Sequence, residues 1–328
     1  MAVGRPTIAK VTVTDVAERA GVSTATVSRV LTGRRGTGAE VAQRVHDAVD
    51  ALGYVPDYLA KALRDQRTAT LGFVVPDITN PFFPALIQAV EASARAASSS
   101  ILLVDARNDP DEERRVAELL VSRRVDGILI SPCHLTRSVA LVEQLVSSVP
   151  VVQIDRVVSS NVASVSADHT RPMAQLAGIA ARTGRQRAAF VGSELTVSTS
   201  NARQETFVQQ FGDTDRVLVG DFSVEWGRAA AHELVRRWPD VEFVVCASDL
   251  IAFGIIQELQ TMGRRVPHDI AVTGWDDTLL AIAGRPTITT VRQPIAEMAR
   301  LAVELVTGIP GSGSTVLPST IVEGQSSG

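Results

Sequence analysis

The chain has 328 residues, 45% of them hydrophobic and 21% charged, with a formal net charge of −4. At roughly 100–200 residues per folding unit, that length spans two or three units, and the apolar fraction excludes a disordered chain. Cys133 and Cys246 are far apart, each beside an expected strand, which points to buried free thiols rather than a disulfide and excludes zinc-type spacing. The first residues carry no apolar signal core, and no apolar run reaches the ~18 residues a membrane span needs. The expectation is a cytoplasmic, nucleoid-associated protein with no membrane partner.

The charge is unevenly distributed. Residues 1–46 hold Arg5, Lys10, Arg19, Arg29, Arg34, Arg35 and Arg44 against Asp15, Glu18 and Glu40, a net of +4, which leaves −8 for the remainder. A cationic head on an acidic body suits binding of a polyanion by the head. After an arm over residues 1–10, Thr12 with Asp15 three residues on forms a capping-box pattern. Val13, Val16, Ala17 and Ala20 share one helical face, and Gly21 supplies the positive φ that ends the helix. Ser23 caps a second helix, Thr24 to Leu31, that buries Val27 and Val30, and Gly33 stops it. A third, from Ala39 to Leu52, presents Val41, Val45, Ala48, Val49 and Leu52 on one face. Two short helices joined by a glycine-containing turn form a helix-turn-helix, and neither is stable without the third.

The outer face of the second helix bears Thr24, Ala25, Ser28 and Arg29, short or cationic side chains that fit a major groove and supply one long donor for a guanine edge. Ser23, Thr26, Arg34 and its neighbour Arg35 suit phosphates, which position a protein without specifying sequence. The run from Val11 through Thr12 to Leu31 resembles the DNA-binding head of the lactose/galactose repressor family. The resemblance implies that Thr24, Ala25 and Arg29 read bases. Thr32 departs from the family's usual Asn and Gly38 from its usual Ser cap, a weaker cap by a few tenths of a kcal/mol. Tyr54 follows, within Gly53-Tyr54-Val55-Pro56-Asp57. A short helix from Tyr58 to Arg64, carrying Lys61 and Leu63, then resembles the family's hinge helix, with Leu63 as an apolar wedge for the minor groove; packing on the body is its alternative role. The head thus spans 11–55, and hinge helix and linker 56–69.

From 70 to 323 the pattern becomes α/β. Apolar strands at Leu71–Val75, Ile101–Val104, Gly127–Ile130 and Val151–Ile154 alternate with helices at Pro81–Ala97, Asp111–Ser122 and Arg137–Val146. A second series runs Ala188–Val191, Asn201–Phe211, Arg216–Val219, Val224–Trp238, Phe243–Cys246, Leu250–Met262 and Ile270–Val272, then terminal segments to Ile321, and residues 324–328 read as a polar tail. Such alternation builds right-handed parallel units, here a two-lobed, doubly wound body with a ligand cleft at strand carboxyl ends.

The resemblance to the same family and to periplasmic sugar-binding proteins extends to Glu323. It rests on Pro76-Asp77-Ile78-Thr79-Asn80-Pro81-Phe82-Phe83, Val125-Asp126-Gly127-Ile128, Pro150–Arg156 and Gly274-Trp275-Asp276-Asp277. By resemblance Asp155, Arg203, Phe222, Ser248, Asp276 and Gln293 match effector-contacting positions. Carboxylates and Arg pair with sugar hydroxyls, and Phe82, Phe222 and Trp275 offer an apolar floor. A helix cap or turn is the alternative role for any single Asp at a strand end. Ser248 replaces a common Asn and Arg185 a common His, which points away from a common hexose or pentose.

These readings favour a ligand-controlled transcriptional regulator, most simply a repressor, acting as a homodimer on a near-palindromic operator with a carbohydrate-like effector and no cofactor. No P-loop or strand-following G-x-G-x-x-G supports an enzyme, and the histidines show no metal spacing. A transporter's solute-binding protein would share the body but lack the cationic head.

Overall fold

A computed structural model describes residues 11–31, 37–54, 67–212, 215–308 and 313–328. It divides into two compact units, with the boundary between Thr68 and Ala69. Within the described part of the first unit, α1 (Val13–Ala20), α2 (Thr24–Leu31) and α3 (Ala39–Leu52) share one small core. Val16, Ala17, Ala20, Val27, Val45 and Ala48 are buried in it, with Val13, Val22, Val30, Leu31, Val49, Leu52 and Tyr54 packed around them. The capping box forms: Thr12 N–H donates to Asp15 Oδ2 at 2.7 Å, and Asp15 N–H returns to Thr12 Oγ1. Gly21 takes φ +64°, and the backbone there closes with Val22 N–H donating to Ala17 O. A residue with a Cβ is strained in that conformation, so the sharp turn that aims α2 depends on glycine. Gly38 starts α3 with no side-chain cap, as its lack of a side chain dictates.

The second unit is two parallel sheets. The first lobe has the order β11 (Ser314–Leu317), β5 (Ser164–Ala167), β4 (Val151–Ile154), β3 (Gly127–Ile130), β1 (Thr70–Val75), β2 (Ser100–Asp105), and the second β7 (Val217–Gly220), β6 (Ala188–Ser193), β8 (Phe243–Cys246), β9 (Ala271–Thr273). In the first lobe β1 (Thr70–Val75), β2 (Ser100–Asp105), β3 (Gly127–Ile130) and β4 (Val151–Ile154) alternate with α4 (Phe82–Ala96), α5 (Pro110–Ser122) and α6 (Val139–Leu145). Strands covered on both faces must be apolar throughout. In β1, Leu71, Phe73 and Val75 face one core and Val74 the other. The second lobe repeats the scheme with α7 (Thr170–Arg182), β6 (Ala188–Ser193), α8 (Ser198–Phe211), β7 (Val217–Gly220), α9 (Val224–Arg237), β8 (Phe243–Cys246), α10 (Asp249–Thr261), β9 (Ala271–Thr273) and the short α11 (Leu279–Ala283). Both cysteines are free and buried.

Three features depart from the sequence reading. β5 (Ser164–Ala167) and α7 are regular elements that it passed over, because β5 is Ser-rich and its pairing is purely tertiary. The terminal stretch is not confined to one lobe. After β10 (Thr290–Arg292), α12 (Ile295–Val306) and β11 (Ser314–Leu317) complete the first lobe, and β12 (Thr320–Val322) returns to pair antiparallel with β10. The chain therefore crosses between lobes three times: after β5, before α12 and after β11. The supposed tail is built into the second lobe. Ser326 is fully buried, donates its hydroxyl to Val272 O and accepts Val272 N–H through its carbonyl, while Arg185 reaches Ser327 O and Pro267 O. The hinge helix expected over 58–64, with Lys61 and Leu63, lies outside the described residues, as do the arm, Thr32, Gly33, Arg34 and Arg35.

The tightest packing in the second lobe is the crossing of α9 on α10. A Cβ on Gly254 would collide with the Val224 carbonyl and lie 3.0 Å from the Gly227 Cα; one on Gly227 would collide with the Ile251 carbonyl. Backbone cannot retreat as a side chain does. Gly254→Ala is therefore expected to destabilise the body by about 1–3 kcal/mol and leave the head's melting unchanged. Scanning calorimetry checks this, and an unshifted body transition would contradict the close crossing.

Candidate functional site

On the head, Thr12, Ser23, Thr24, Ala25 and Arg29 are exposed, whereas Thr26 and Ser28 are half-buried. The Ser23 hydroxyl accepts Thr26 N–H at 3.2 Å and lies 2.9 Å from Thr26 Oγ1. It therefore fixes the first turn of α2 while remaining at the surface. Val27 points fully inward, so Ala25 and Arg29, two residues before and after it, lie on the opposite, outward side of the helix, and Thr24 is exposed at its first turn. Tyr54 follows Gly53, donates its backbone N–H to Val49 O and lies half-buried against the head core.

In the body, a narrow cleft between the lobes is lined by residues that leave strand carboxyl ends. Asn80, Phe82 and Phe83 follow β1, and Asp155 and Arg156 follow β4. From the second lobe, Thr199 and Arg203 lie on α8, Phe222 follows β7 and Asp276 follows β9. Gln293 sits on the crossing after β10. The free space between these side chains is about 10 Å³, room for about one water. The placement follows from topology: both sheets reverse their winding between their first and third strands, and chains leaving such a point diverge and open a crevice.

Four charged groups meet there with almost no access to water: Asp155 is 6% exposed, Arg156 3%, Arg203 3% and Asp276 7%. Arg203 donates to Ala247 O at 2.6 Å, lies 3.5 Å from Asp276 Oδ1 and stacks 4.8 Å above the Trp275 ring. Asp276 also accepts from Gln293 Nε2 at 2.7 Å. Arg156 stacks 5.6 Å from the Phe83 centroid. Asp155 and Asp276 adopt positive φ, +67° and +104°, conformations that cost energy for a residue with a Cβ and concentrate at functional sites. Burial raises the Asp155 carboxyl to about 6, partly opposed by Arg156 and Arg203. Burial likewise raises Asp276 despite Arg203.

Of the sequence-expected effector residues, Phe82, Asp155, Arg203, Phe222, Asp276 and Gln293 line this cleft together, and two stand apart. Ser248 is the N-cap of α10, its hydroxyl accepting Ile251 N–H at 3.3 Å. Trp275 is fully buried beneath Arg203 and meets His169 edge-on, so it supports the floor without surfacing. Neighbouring Asp249 is bound internally: it accepts from Thr290 Oγ1, Thr278 N–H and Thr278 Oγ1, with burial raising it to about 7. Arg156, Asn80, Phe83 and Thr199 were not foreseen. The signal for Arg156 was present, a cation directly after an apolar strand and beside an expected ligand residue.

A helix-turn-helix head and a two-lobed body with a charged, desolvated cleft define a ligand-responsive DNA-binding regulator. Residues 12–57 match the family model of bacterial regulatory proteins of the lacI family. Residues 68–306 match that of periplasmic binding proteins and the sugar-binding domain of the LacI family. The chain belongs to the LacI family. It is 30% identical over 302 residues to the HTH-type transcriptional repressor PurR of Mannheimia succiniciproducens, covering 90% of each chain. The complex of the transcriptional regulator CelR with cellobiose is 29% identical and superposes with TM-score 0.72, covering 97% of this chain and 100% of that one. The lac repressor dimer bound to operator and an anti-inducer shares the fold at TM-score 0.88 with 23% identity, covering 97% and 99%. Among the described residues, no helix is long and apolar enough to cross a membrane.

Among the described residues the Asp155 carboxylate accepts no hydrogen bond, so its ionisation in the folded chain is a net cost. Below about pH 4 both folded and unfolded chains are protonated there. Between about 4 and 6 only the unfolded chain ionises, so stability falls as pH rises through this window, and the loss is complete above it. Asp155→Asn removes the charge, and Asn tolerates positive φ. The variant is expected to gain up to about 3 kcal/mol above pH 7, with the ionisation-linked gain shrinking as pH falls toward 4. Melting temperatures of the two proteins across this range test it; a difference that does not change with pH would contradict the assignment.

Proposed function

We propose that the head binds operator DNA through α2 and that a small, hydroxyl-rich molecule in the interlobe cleft controls that binding. The observation that carries this reading is the outward face of α2. It is short-chained apart from Arg29 and is held in place by the Gly21 turn and the Ser23 cap. Thr24, Ala25 and Arg29 take the base-reading role, and Thr12, Ser23, Thr26, Ser28, Thr32, Arg34 and Tyr54 the positioning role. Lys61 and Leu63 act from the hinge segment at the operator centre. One head spans few base pairs, so sequence selection at genomic scale requires two heads on a near-palindromic site, and the protein works as a homodimer in the nucleoid. The regulator CelR was determined with cellobiose, which supports a carbohydrate-like effector here. Asp155, Arg203, Asp276 and Gln293 supply the polar contacts, Phe82 and Phe222 the apolar ones, and Ser248 and Trp275 hold the surrounding frame. Ligand that favours one arrangement of the lobes changes how residues 56–69 are presented to DNA. Effector and operator are then coupled reciprocally, by about 1–3 kcal/mol.

Selection of genomic fragments by the purified chain, with and without metabolites, tests this reading. Arg29→Ala is expected to reduce preference for selected fragments over bulk DNA by about 5- to 150-fold, the value of one bidentate base contact, and to leave ligand binding intact. Asp276→Ala is expected to keep fragment preference and lose its response to metabolite. Wild-type protein that retains all fragments equally would sink the proposal.

A further inference from the structure

Arg156 is the residue in the body whose environment is least satisfied. Its side chain is 3% exposed, its Nε and Nη1 have no hydrogen-bond partner, and it donates none to any described residue. A guanidinium so placed loses its hydration without replacement by hydrogen bonds, which is unfavourable.

The carboxylates near it cannot repair this. Glu113, fully buried on α5, already accepts Cys133 N–H at 2.7 Å and the Ser138 hydroxyl at 2.5 Å. Asp276 is engaged by Gln293 and Arg203. Asp155 adjoins Arg156 in the chain but leaves its backbone in the left-handed region, and no bond forms between the two side chains. Phe83 covers one face of the Arg156 guanidinium, as Trp275 covers a face of Arg203. Stacking on a face leaves the N–H edges as the recognition surface.

Arg203 approaches from the other lobe and also has an unpartnered donor, Nε. Burial is the main penalty on the Arg156 charge; the field of Asp155 opposes that penalty and the field of Arg203 adds to it. Among the described residues, the acceptors lining the cleft that remain unmet are Gln293 Oε1 and the Asp155 carboxylate, to which no described side chain or backbone N–H donates; Trp275 Nε1, beneath Arg203, is a further unmet donor. The cleft thus asks for oxygens of high charge density facing Arg156 and Arg203, and for hydroxyl donors facing Asp155 and Gln293. Neutral hydroxyls meet the second demand. They meet the first less fully: a hydroxyl accepting from a guanidinium forms a charge-assisted bond but brings no opposite charge to a cation that has lost its water, as an anion does.

We propose that the effector is an anionic polyhydroxy compound, a sugar acid or a sugar phosphate, whose carboxylate or phosphoryl oxygens bridge Arg156 of the first lobe and Arg203 of the second while its hydroxyls donate to Asp155 and Gln293. This rests on reading the cleft as the effector site, and it makes Arg156 the residue that sets ligand charge class.

The test uses the full chain and calorimetric titration with hexonates, hexuronates, and hexose and pentose phosphates, each beside its neutral parent sugar and inorganic phosphate. At least one anionic sugar is expected to bind about tenfold or more tightly than its parent and than inorganic phosphate. The sugar acids and the phosphates distinguish the two sources of charge. Arg156→Gln is expected to erase that preference and Arg156→Lys to keep part of it. Arg156→Gln is also expected to melt higher than wild type without ligand, since it removes an unpaired buried charge; a purely structural Arg156 would make it melt lower. Neutral parents binding as well as their anions, or no anion exceeding its parent, overturns the inference. Selective retention of genomic DNA is scored separately. A protein that selects DNA and answers to neutral sugars refutes the anionic effector alone, while one that selects no DNA refutes the regulator reading and leaves the ligand contrast to stand or fall by itself.

Discussion

Charge taken out of water at the junction of the two lobes governs the body of this protein. Asp155 and Arg156 come from one lobe and Arg203 and Asp276 from the other, and each is more than nine-tenths buried. Such a quartet is costly unless its members are bonded, and here the bonding is unequal. Asp276 is tied to Gln293 and Arg203, while Asp155 and Arg156 are left with unmet capacity. These side chains line one cleft between the lobes, and the three crossing segments are the covalent links between them. A molecule that satisfies the free groups therefore acts on the relative position of two rigid sheets.

The rigidity comes from a different source. The central strands β1, β3 and β8 are apolar on both faces, and a separate buried core lies on each side of the first sheet. In the second lobe, glycine contacts bring α9 and α10 to backbone distance. Packing of that kind is not continuously deformable, so ligand free energy is directed to the lobe junction. Polar groups near the cleft that are already satisfied, such as Asp249 with Thr278 and Thr290, fix the strand ends from which the ligand groups project.

The head works on a smaller scale. Its core is a handful of Val and Ala residues, too little apolar surface to hold three helices without help from their ends. The Thr12–Asp15 box, the Gly21 turn and the Ser23 cap each satisfy backbone groups that short helices leave open. The same devices set the angle at which α2 presents Thr24, Ala25 and Arg29. Stability and recognition in the head share residues, and in the body they are spatially separated.

The helices of the head were legible from sequence because their signals are local: caps, a glycine turn and a 3.6-residue apolar period within one stretch. So were the strand–helix alternation and the position of the cleft, since parallel strands place their ligand groups at carboxyl ends. Asp155, Arg203, Phe222, Asp276 and Gln293 were implied by the family resemblance, and Phe82 by its aromatic side chain, rather than by strand geometry; the structure brings them to one cleft. What the sequence could not decide depended on partners distant along the chain. β5 is a strand only because β4 and β11 flank it. α12 and β11 belong to the first lobe because α12 buries its apolar face in that core and β11 pairs with β5, and Ser326 is buried because β9 offers Val272. Ser248 and Trp275 sit at the right place in the chain but face a helix terminus and the underside of Arg203. Arg156, hidden in sequence as an ordinary charge after a strand, acquires meaning only when the fold removes its water and supplies no hydrogen-bond acceptor in return.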